Sequence, residues 1–344
     1  MQSVTATKTE RLKSKHGFTA IAILSILIVI AFIFSMNTGF IRLSPLELLQ
    51  TLFGAGTDKQ NLILFEFRLP RIVISLLIGA GLAVSGCVMQ GISRNALADP
   101  GILGINAGAG LMVMLFISFY PTTAAAPIFL LPVLALIGAG LTAALIYSLA
   151  YKRYEGLSTT RLLLSGIAVA AGISAAMIVL TLKISPEKYQ FVATWLAGSI
   201  WGTDCKFVLS LLPWILLLLP YVYYKARVMN VLTLGEQAAV GLGVSVSREQ
   251  LALIAAAVGL AGSCVAVSGG IGFVGLIGPH LARRLVGPRH QILIPTAALA
   301  GALLVITADT IGRWMLQPSE IPTGIVVAVI GAPYFLYLLA RSKA

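Results

Sequence analysis

Three arginines are the residues in this sequence best suited to binding another molecule. Arg68 and Arg71 flank Pro70 where a polar stretch meets a long apolar run, and Arg313 follows a later apolar run. Residues three apart share one face of a helix, and Pro70 suits the first turn of one. Because guanidinium groups bind carboxylates through paired hydrogen bonds, this pattern suits an acidic partner. Anchoring at lipid headgroups by the long arginine side chains is the simpler alternative.

The residues of an enzyme or of a self-powered pump are missing. The chain has no GxxxxGK[ST] phosphate-binding loop, and its 3 histidines are not spaced with cysteines or acids as metal ligands. Acidic side chains inside apolar runs are typical of proton- and sodium-coupled carriers. We therefore predict no catalytic residue, no metal site and no cofactor, so the chain is either a passive pore or is powered by another subunit. The acids that approach apolar runs, each expected at a helix boundary, are Glu66, Asp309 and Glu320.

The composition requires lipid as part of the solvent. Hydrophobic residues make up 58% of the chain and charged residues 10%, whereas an ordinary soluble domain carries about 25% charged residues. The net charge of +12 does not indicate nucleic-acid binding, because no basic stripe with interleaved aromatic residues is present. Lysines and arginines of membrane proteins collect in cytoplasmic loops beside anionic lipid. Cys87, Cys205 and Cys264 are interpreted as small packing residues.

Uncharged stretches predict an all-α polytopic membrane protein with about ten transmembrane helices. The basic tail at 1–17 precedes the first of them without a cleavage site, so this stretch is expected to stay as a helix. Gly269-Gly270 interrupts the later part of the chain, and the eighth helix is expected to be short or bent. The predicted spans are 18–36, 72–93, 101–119, 127–151, 162–182, 207–224, 250–268, 273–287, 291–311 and 321–340.

The distribution of charge predicts the orientation. With the N-terminus inside, about two thirds of the lysines and arginines fall in cytoplasmic segments, as the positive-inside rule requires. Both termini are therefore expected in the cytoplasm. Small residues within the spans predict closely packed helices; they include Gly79, Gly81, Gly86, Gly138, Gly140, Gly259 and Gly262.

Several motifs resemble the permeases of type II ABC importers for iron–siderophore complexes and vitamin B12. The sequence RLPR at 68–71, followed by GAGLAVSG at 79–86, is similar to the second helix of that family. The resemblance covers nearly the whole chain after its first helix and implies one transmembrane permease domain, 1–344, with the type II importer fold. Further matches follow in order at 95–104, 162–166, 234–243, 269–280, 320–324 and 331–333.

The resemblance also implies an assembly in a bacterial cytoplasmic membrane. A second permease subunit, identical or paralogous, would complete the pathway, and two cytoplasmic ATPase subunits would supply the energy. An extracytoplasmic substrate-binding protein would deliver the cargo. In such an assembly Arg68, Arg71 and Arg313 match the outer arginines that receive glutamates of the binding protein.

Residues 231–248 match the cytoplasmic coupling helices that contact the ATPases. Thr233 is expected to cap a helix that begins at Leu234, with Glu236 at its third position. An ordinary connection between two helices is the alternative interpretation. Gly241 and Gly243 are expected to end this helix and turn the chain. The residues given the coupling role are Leu234, Gly235, Glu236, Gly241, Leu242 and Gly243.

Four further residues match the cytoplasmic gate of the family. They are Asn95 and Leu97, between the second and third spans, and Thr159 and Thr160, before the fifth. Small polar groups there could pass a hydrophilic cargo without holding it. Helix capping by asparagine or threonine is the alternative.

Overall similarity to the siderophore branch favours a ferric siderophore of the hydroxamate type as cargo. Cobalamin or haem is the first alternative. A proton-coupled secondary carrier and a membrane-embedded enzyme are more remote, because intramembrane acids and a catalytic cluster are not evident in the sequence. A requirement for ATP would separate the importer from both.

Overall fold

A computed structural model describes residues 2–38, 47, 50–51, 53–54, 56–120, 129–152, 156–317 and 319–341. Within these ranges the chain is a bundle of helices. In chain order they are α1 (Gln2–Asn37), α2 (Asp58–Ser93), α3 (Ile105–Phe119), α4 (Leu130–Ala150), α5 (Thr159–Thr181), α6 (Pro186–Leu196), α7 (Cys205–Tyr224), α8 (Ala226–Leu232), α9 (Glu236–Gly241), α10 (Val246–Ser268), α11 (Val274–Val286), α12 (His290–Met315) and α13 (Thr323–Arg341), with a 3-10 turn at Pro100–Leu103.

Each predicted span corresponds to a helix. In the described part of the chain, 7 helices are long and apolar enough to cross a membrane, and the other three predicted spans are the shorter helices α3, α11 and α13. The eighth predicted span is short, as expected. Its helix, α11, has 13 residues and a length of about 20 Å, less than the roughly 30 Å of a bilayer core.

The second helix begins earlier than the sequence predicted. Its first turn starts at Asp58, where Thr57 and Gln60 form a capping box, whereas the sequence predicted a helix that starts at Arg68–Arg71 with its apolar span at 72–93. The charged residues of this stretch are typical of a loop, but the helix accommodates them in its first turns. Leu62–Arg68 is a π-helical segment in which the Leu69 N–H bonds the Leu64 carbonyl. The wider π-helical turn suits Pro70, which follows Leu69. In an α-helix the proline ring would clash with the carbonyl four residues earlier.

Helix α2 forms the centre of the bundle. It packs against α7, α10, α11 and α12, and most of its apolar part is buried. Helices α1, α5 and α7 are largely exposed in the single chain, so they are the surfaces available to lipid or to other subunits. The predicted packing role holds for Cys87 and Cys264, which are buried, but is wrong for Cys205, which is exposed.

A small β-hairpin departs from the all-α prediction. Tyr151–Lys152 pairs in antiparallel register with Gly156–Leu157 between α4 and α5. Each strand has 2 residues, so the hairpin changes a loop and leaves the fold class unchanged.

Candidate functional sites at the two ends of the bundle

Two polar regions lie at opposite ends of the bundle. The first, called the Arg71 end, is formed where α1 and α12 finish and where α13 begins. The second, called the Glu236 end, contains the end of α2, the short helices α8 and α9 and the start of α12. The predicted docking residues fall in the first region, and the predicted coupling residues fall in the second.

A buried carboxylate organises the Arg71 end. Asp309 on α12 accepts hydrogen bonds at Oδ1 from Arg71 Nε at 3.0 Å and Nη2 at 2.8 Å. Its Oδ2 accepts from Arg313 Nε at 3.0 Å, and the Thr323 hydroxyl donates to Oδ1 at 3.2 Å. Arg71 Nη1 also donates to Glu320 Oε2 at 2.7 Å. The two acids and two arginines therefore tie α2, α12 and the start of α13 together.

The arginines also hold the end of α1. Arg313 Nη1 donates to the carbonyls of Ser35 and Thr38, at 3.3 and 2.9 Å, and its Nη2 donates to the Ser35 hydroxyl. Arg68 Nη1 donates to the Met36 carbonyl. The last four carbonyls of a helix have no partner within the helix, so these guanidinium groups satisfy groups that the fold would otherwise leave open.

These contacts correct two expectations from the sequence. Asp309 does not lie at the boundary of its helix, because α12 continues to Met315 and the carboxylate is buried. Asp309 supplies an acidic partner within the chain for Arg71 and Arg313, whereas the sequence suggested only an external one. Arg68 and Arg313 are buried.

Glu320 is the most accessible member of this network. Its side chain is 31% exposed, whereas that of Asp309 is 0% exposed. The Arg71 side chain lies between these extremes, at 11%. The Arg71–Glu320 ion pair is therefore the part of the network that an external acidic group could replace with the least disturbance.

The Glu236 end joins the short helices to the long ones. On α8, Asn230 Oδ1 accepts from the His290 backbone N–H at 3.0 Å and lies 2.8 Å from His290 Nδ1. Asn230 Nδ2 donates to Gln291 Oε1 at 2.8 Å. Lys225 Nζ donates to Glu249 Oε1 at 2.8 Å, and this hydrogen bond raises the pKa of Lys225. The short helices are thus fixed to the first turns of α10 and α12.

The predicted coupling helix exists, but its first turn differs from the prediction. Thr233 follows the end of α8, and its hydroxyl donates to the Asn230 carbonyl at 2.7 Å. Helix α9 begins at Glu236 after Gly235, which has a φ of 109°. The prediction that Thr233 caps the helix is wrong, because Gly235, with its positive φ, separates Thr233 from the first residue of α9. The helix ends at Gly241 as predicted, and Gly243 reverses the chain with a φ of 81°.

Helix α9 carries an exposed apolar surface. The large apolar side chains there are 66% exposed at Leu234 and 63% exposed at Val240 and Leu242. Glu236 lies 3.8 Å from Arg94 at the end of α2, a contact that is weak because both side chains are exposed. Residues 234–242 therefore offer a small apolar patch beside the end of the central helix.

The predicted gate residues lie in two turns at the same end. Asn95 Oδ1 accepts from the Leu97 backbone N–H at 3.0 Å, which stabilises the turn after α2. Ser158, and not a threonine, caps α5, and Thr159 and Thr160 are its first residues. The 3-10 turn that follows Asn95 contacts α5.

In the described ranges, no group of three or more His, Cys, Asp or Glu side chains could hold a metal ion.

A bundle of membrane-length helices with a polar region at each end is typical of a multi-pass membrane protein. The chain belongs to the FecCD transport family, whose model matches residues 27–341.

Known proteins resemble the chain along nearly its whole length. It is 50% identical over 335 residues to the iron(3+)-hydroxamate import system permease protein FhuG of Bacillus subtilis, covering 96% of this chain and 99% of that one. It is 42% identical over 322 residues to the iron-uptake system permease protein FeuC of the same organism, covering 92% and 96%. A solved structure described as an inward-facing metal-chelate type ABC transporter has a TM-score of 0.82 and 32% identity, covering 93% of this chain and 98% of that chain.

Proposed function

We propose that this chain is the permease subunit of an ATP-driven importer that carries ferric hydroxamate siderophores across a bacterial cytoplasmic membrane by alternating access. The supporting observation is the 50% identity to an iron(3+)-hydroxamate permease over 96% of the chain. The energy comes from two cytoplasmic ATPase subunits. A second permease subunit, identical or paralogous, completes the pathway, and an extracytoplasmic binding protein delivers the cargo.

The Glu236 end is the proposed cytoplasmic side, on which the ATPases act. The exposed apolar side chains of Leu234, Val240 and Leu242 suit a groove on a partner protein, because contacts of this kind supply much of the affinity of an interface. The coupling residues then transmit motion through Asn230 to the start of α12. Both chain termini lie in the cytoplasm in this orientation.

The Arg71 end is the proposed docking surface for the binding protein. A glutamate of that protein would replace Glu320 on Arg71, while Arg68 and Arg313 hold the end of α1 behind the contact.

Asn95 and Leu97 on one side and Thr159 and Thr160 on the other form the proposed cytoplasmic gate. The Asn95 side chain holds the first turn by accepting from the Leu97 N–H, and the Ser158 hydroxyl caps α5 by accepting from the Arg161 N–H. The side chains of Leu97, Thr159 and Thr160 can therefore change without loss of these two bonds, whereas that of Asn95 cannot.

The function is tested by deleting the gene and growing the strain on iron-limited medium with single purified siderophores. Loss of growth on ferric hydroxamates alone, restored by the gene, is the expected result. Unimpaired growth on hydroxamates in a strain without a second hydroxamate permease would refute the cargo. Cobalamin and haem uptake are then measured in the same strain, because they are the alternative cargoes.

A further inference from the structure

Four polar atoms on α11 and α13 are buried without a hydrogen-bond partner among the residues that the structure describes. They are both ring nitrogens of His280, the hydroxyl of Tyr334 and Nε of Arg283. A buried polar group without a partner is unfavourable, because it has lost its hydrogen bonds to water. The four atoms on these two neighbouring helices therefore need hydrogen-bond partners that the described residues do not supply.

The atoms of His280 and Tyr334 belong to a contact between α11 and α13 that has two layers. In the deeper layer, His280 on α11 meets Tyr334 on α13 edge-on, with ring centroids 6.0 Å apart. One turn further along both helices, the guanidinium carbon of Arg284 lies 5.9 Å from the ring centroid of Tyr337. Residues three and four apart share a helix face, so the two layers line one side of each helix.

The contact is positively charged. Arg283 and Arg284 occupy the last turn of α11, and within the described residues neither forms an ion pair with a carboxylate. Arg283 Nη2 donates to the neutral Gln90 Oε1, at 3.4 Å. Basic residues at a helix C-terminus are favoured by the helix dipole. That effect accounts for the two charges, but not for the buried donors of His280 and Tyr334.

The two layers lie at different depths in the membrane. Helix α11 ends at Val286, and α12 begins at His290, so Arg284 is close to the end of the bundle. His280 precedes it by one turn and is about 6 Å deeper along the helix. A phospholipid has a matching arrangement, since its phosphate lies at the surface and its ester oxygens lie just below.

We propose that the α11–α13 contact binds an anionic phospholipid. The phosphate is bound by Arg283 and Arg284, and an ester oxygen accepts a hydrogen bond from the Tyr334 hydroxyl. His280 donates from one ring nitrogen at the same depth. Basic pockets between membrane helices hold lipid headgroups of this class. Free phosphate offers the same charge, but it has no group that reaches the deeper layer.

Lipid retention by the purified full chain tests the site. Native mass spectrometry of the wild-type chain with phosphatidylglycerol should detect one retained lipid. The double variant Arg283→Gln, Arg284→Gln should retain it about tenfold less, since it removes the charge-assisted hydrogen bonds to the phosphate. Tyr334→Phe, which removes only the hydroxyl, should reduce retention about two- to fivefold. Arg227→Gln, at an exposed position on α8 at the same end, should leave retention unchanged.

Two results would overturn the proposal. The site is refuted if the double variant and Arg227→Gln retain phosphatidylglycerol equally. The lipid is refuted if millimolar inorganic phosphate displaces all of the retained ligand and Tyr334→Phe has no effect. Because the measurement requires neither cargo nor ATP, its outcome is independent of the proposed transport function.

Discussion

Asp309 binds Arg71 through one carboxylate oxygen and Arg313 through the other, with donor–acceptor distances of 2.8 to 3.0 Å. The Arg71–Asp309 contact joins α2 to α12 inside the bundle, and the two contacts together fix both arginine side chains. A proton-carrying acid must exchange its proton during transport. Asp309 has two cationic partners and a hydroxyl donor, so its geometry does not favour the proton-coupled alternative.

Removing the Asp309 carboxylate should destabilise the protein strongly. Asp309→Ala leaves the buried guanidinium group of Arg313 without a counter-ion and leaves Arg71 with Glu320 alone, and breaking a buried ion pair in this way costs about 3–5 kcal/mol. Glu320→Ala removes a partly exposed partner, so its effect should be no more than about 1 kcal/mol. Thermal unfolding in detergent should place the midpoint of Asp309→Ala well below that of Glu320→Ala. Equal midpoints would contradict the central role of Asp309.

Removing the charge of Glu320 should strengthen binding-protein docking if Arg71 is the docking residue. Glu320→Gln abolishes the internal competitor for Arg71 Nη1, which an external glutamate must otherwise displace. The affinity of the permease in nanodiscs for the purified binding protein should rise by up to about fivefold, the equivalent of roughly 1 kcal/mol for an exposed ion pair. Titration at two salt concentrations checks the result, since the gain should shrink as salt rises.

The control for this experiment is a change that leaves the ion pairs intact. Glu187→Gln alters an exposed acid at the start of α6 and should leave the docking affinity unchanged. An unchanged affinity for Glu320→Gln as well would exclude Arg71 as the docking residue. Arg68→Glu is less informative, because Arg68 is buried and its replacement is expected to disturb folding.

The sequence predicts which stretches become helices but not how their charged residues pair. Apolar runs mark the spans because lipid leaves a chain little choice other than a helix. The long-range pairs Arg71–Asp309 and Asn230–His290 join residues that are far apart in sequence, and no local pattern connects them. The early start of α2 was missed because charged residues such as Asp58, Lys59 and Glu66 interrupt the apolar pattern before Arg68.

A negative charge on the apolar patch of α9 should prevent ATPase binding. Leu242→Asp adds a charge that must be desolvated when the patch is covered, at a cost of several kcal/mol. Leu242→Met keeps the apolar surface and serves as the matched control. Co-purification of the ATPase from membranes should be lost for Leu242→Asp and retained for Leu242→Met. Normal co-purification of both variants would remove the patch from the interface.

The backbone conformation of the turn after α9 can be tested by substituting its glycines. Gly243 has a φ of 81°, whereas Gly241 lies in the helix, and nothing lies within 4 Å of a Cβ atom added at either position. Gly243→Ala should cost about 1–2 kcal/mol, because side chains disfavour left-handed backbone. Gly241→Ala should be neutral or slightly stabilising. If the turn transmits motion, ATPase activity stimulated by the binding protein should fall for Gly243→Ala alone.

The glycines within the spans fall into two groups, those at a close contact between helices and those in open space. The sequence alone does not distinguish the two groups. A Cβ atom added at Gly79 would lie 2.3 Å from the Gly301 carbonyl oxygen, and one added at Gly138 would lie 2.3 Å from that of Gly108. A Cβ atom at Gly140 would have nothing within 4 Å. The prediction of close helix packing is therefore confirmed at Gly79 and Gly138 and is wrong at Gly140, because spacing along one helix does not identify the neighbouring helix.

The closest approach between helices should be the least tolerant of an added methyl group. A Cβ atom at Gly86 would lie 1.8 Å from the Gly275 carbonyl oxygen, so α2 and α11 must separate before Gly86→Ala can fold. Overpacking of this kind typically costs about 1–3 kcal/mol, and a backbone neighbour cannot rotate away as a side chain can. Gly140→Ala makes the same change in open space and should match the wild type. Monodisperse protein remaining after heating, measured by size-exclusion chromatography, should fall for Gly86→Ala only, and equal survival of both variants would contradict the packing of α2 on α11.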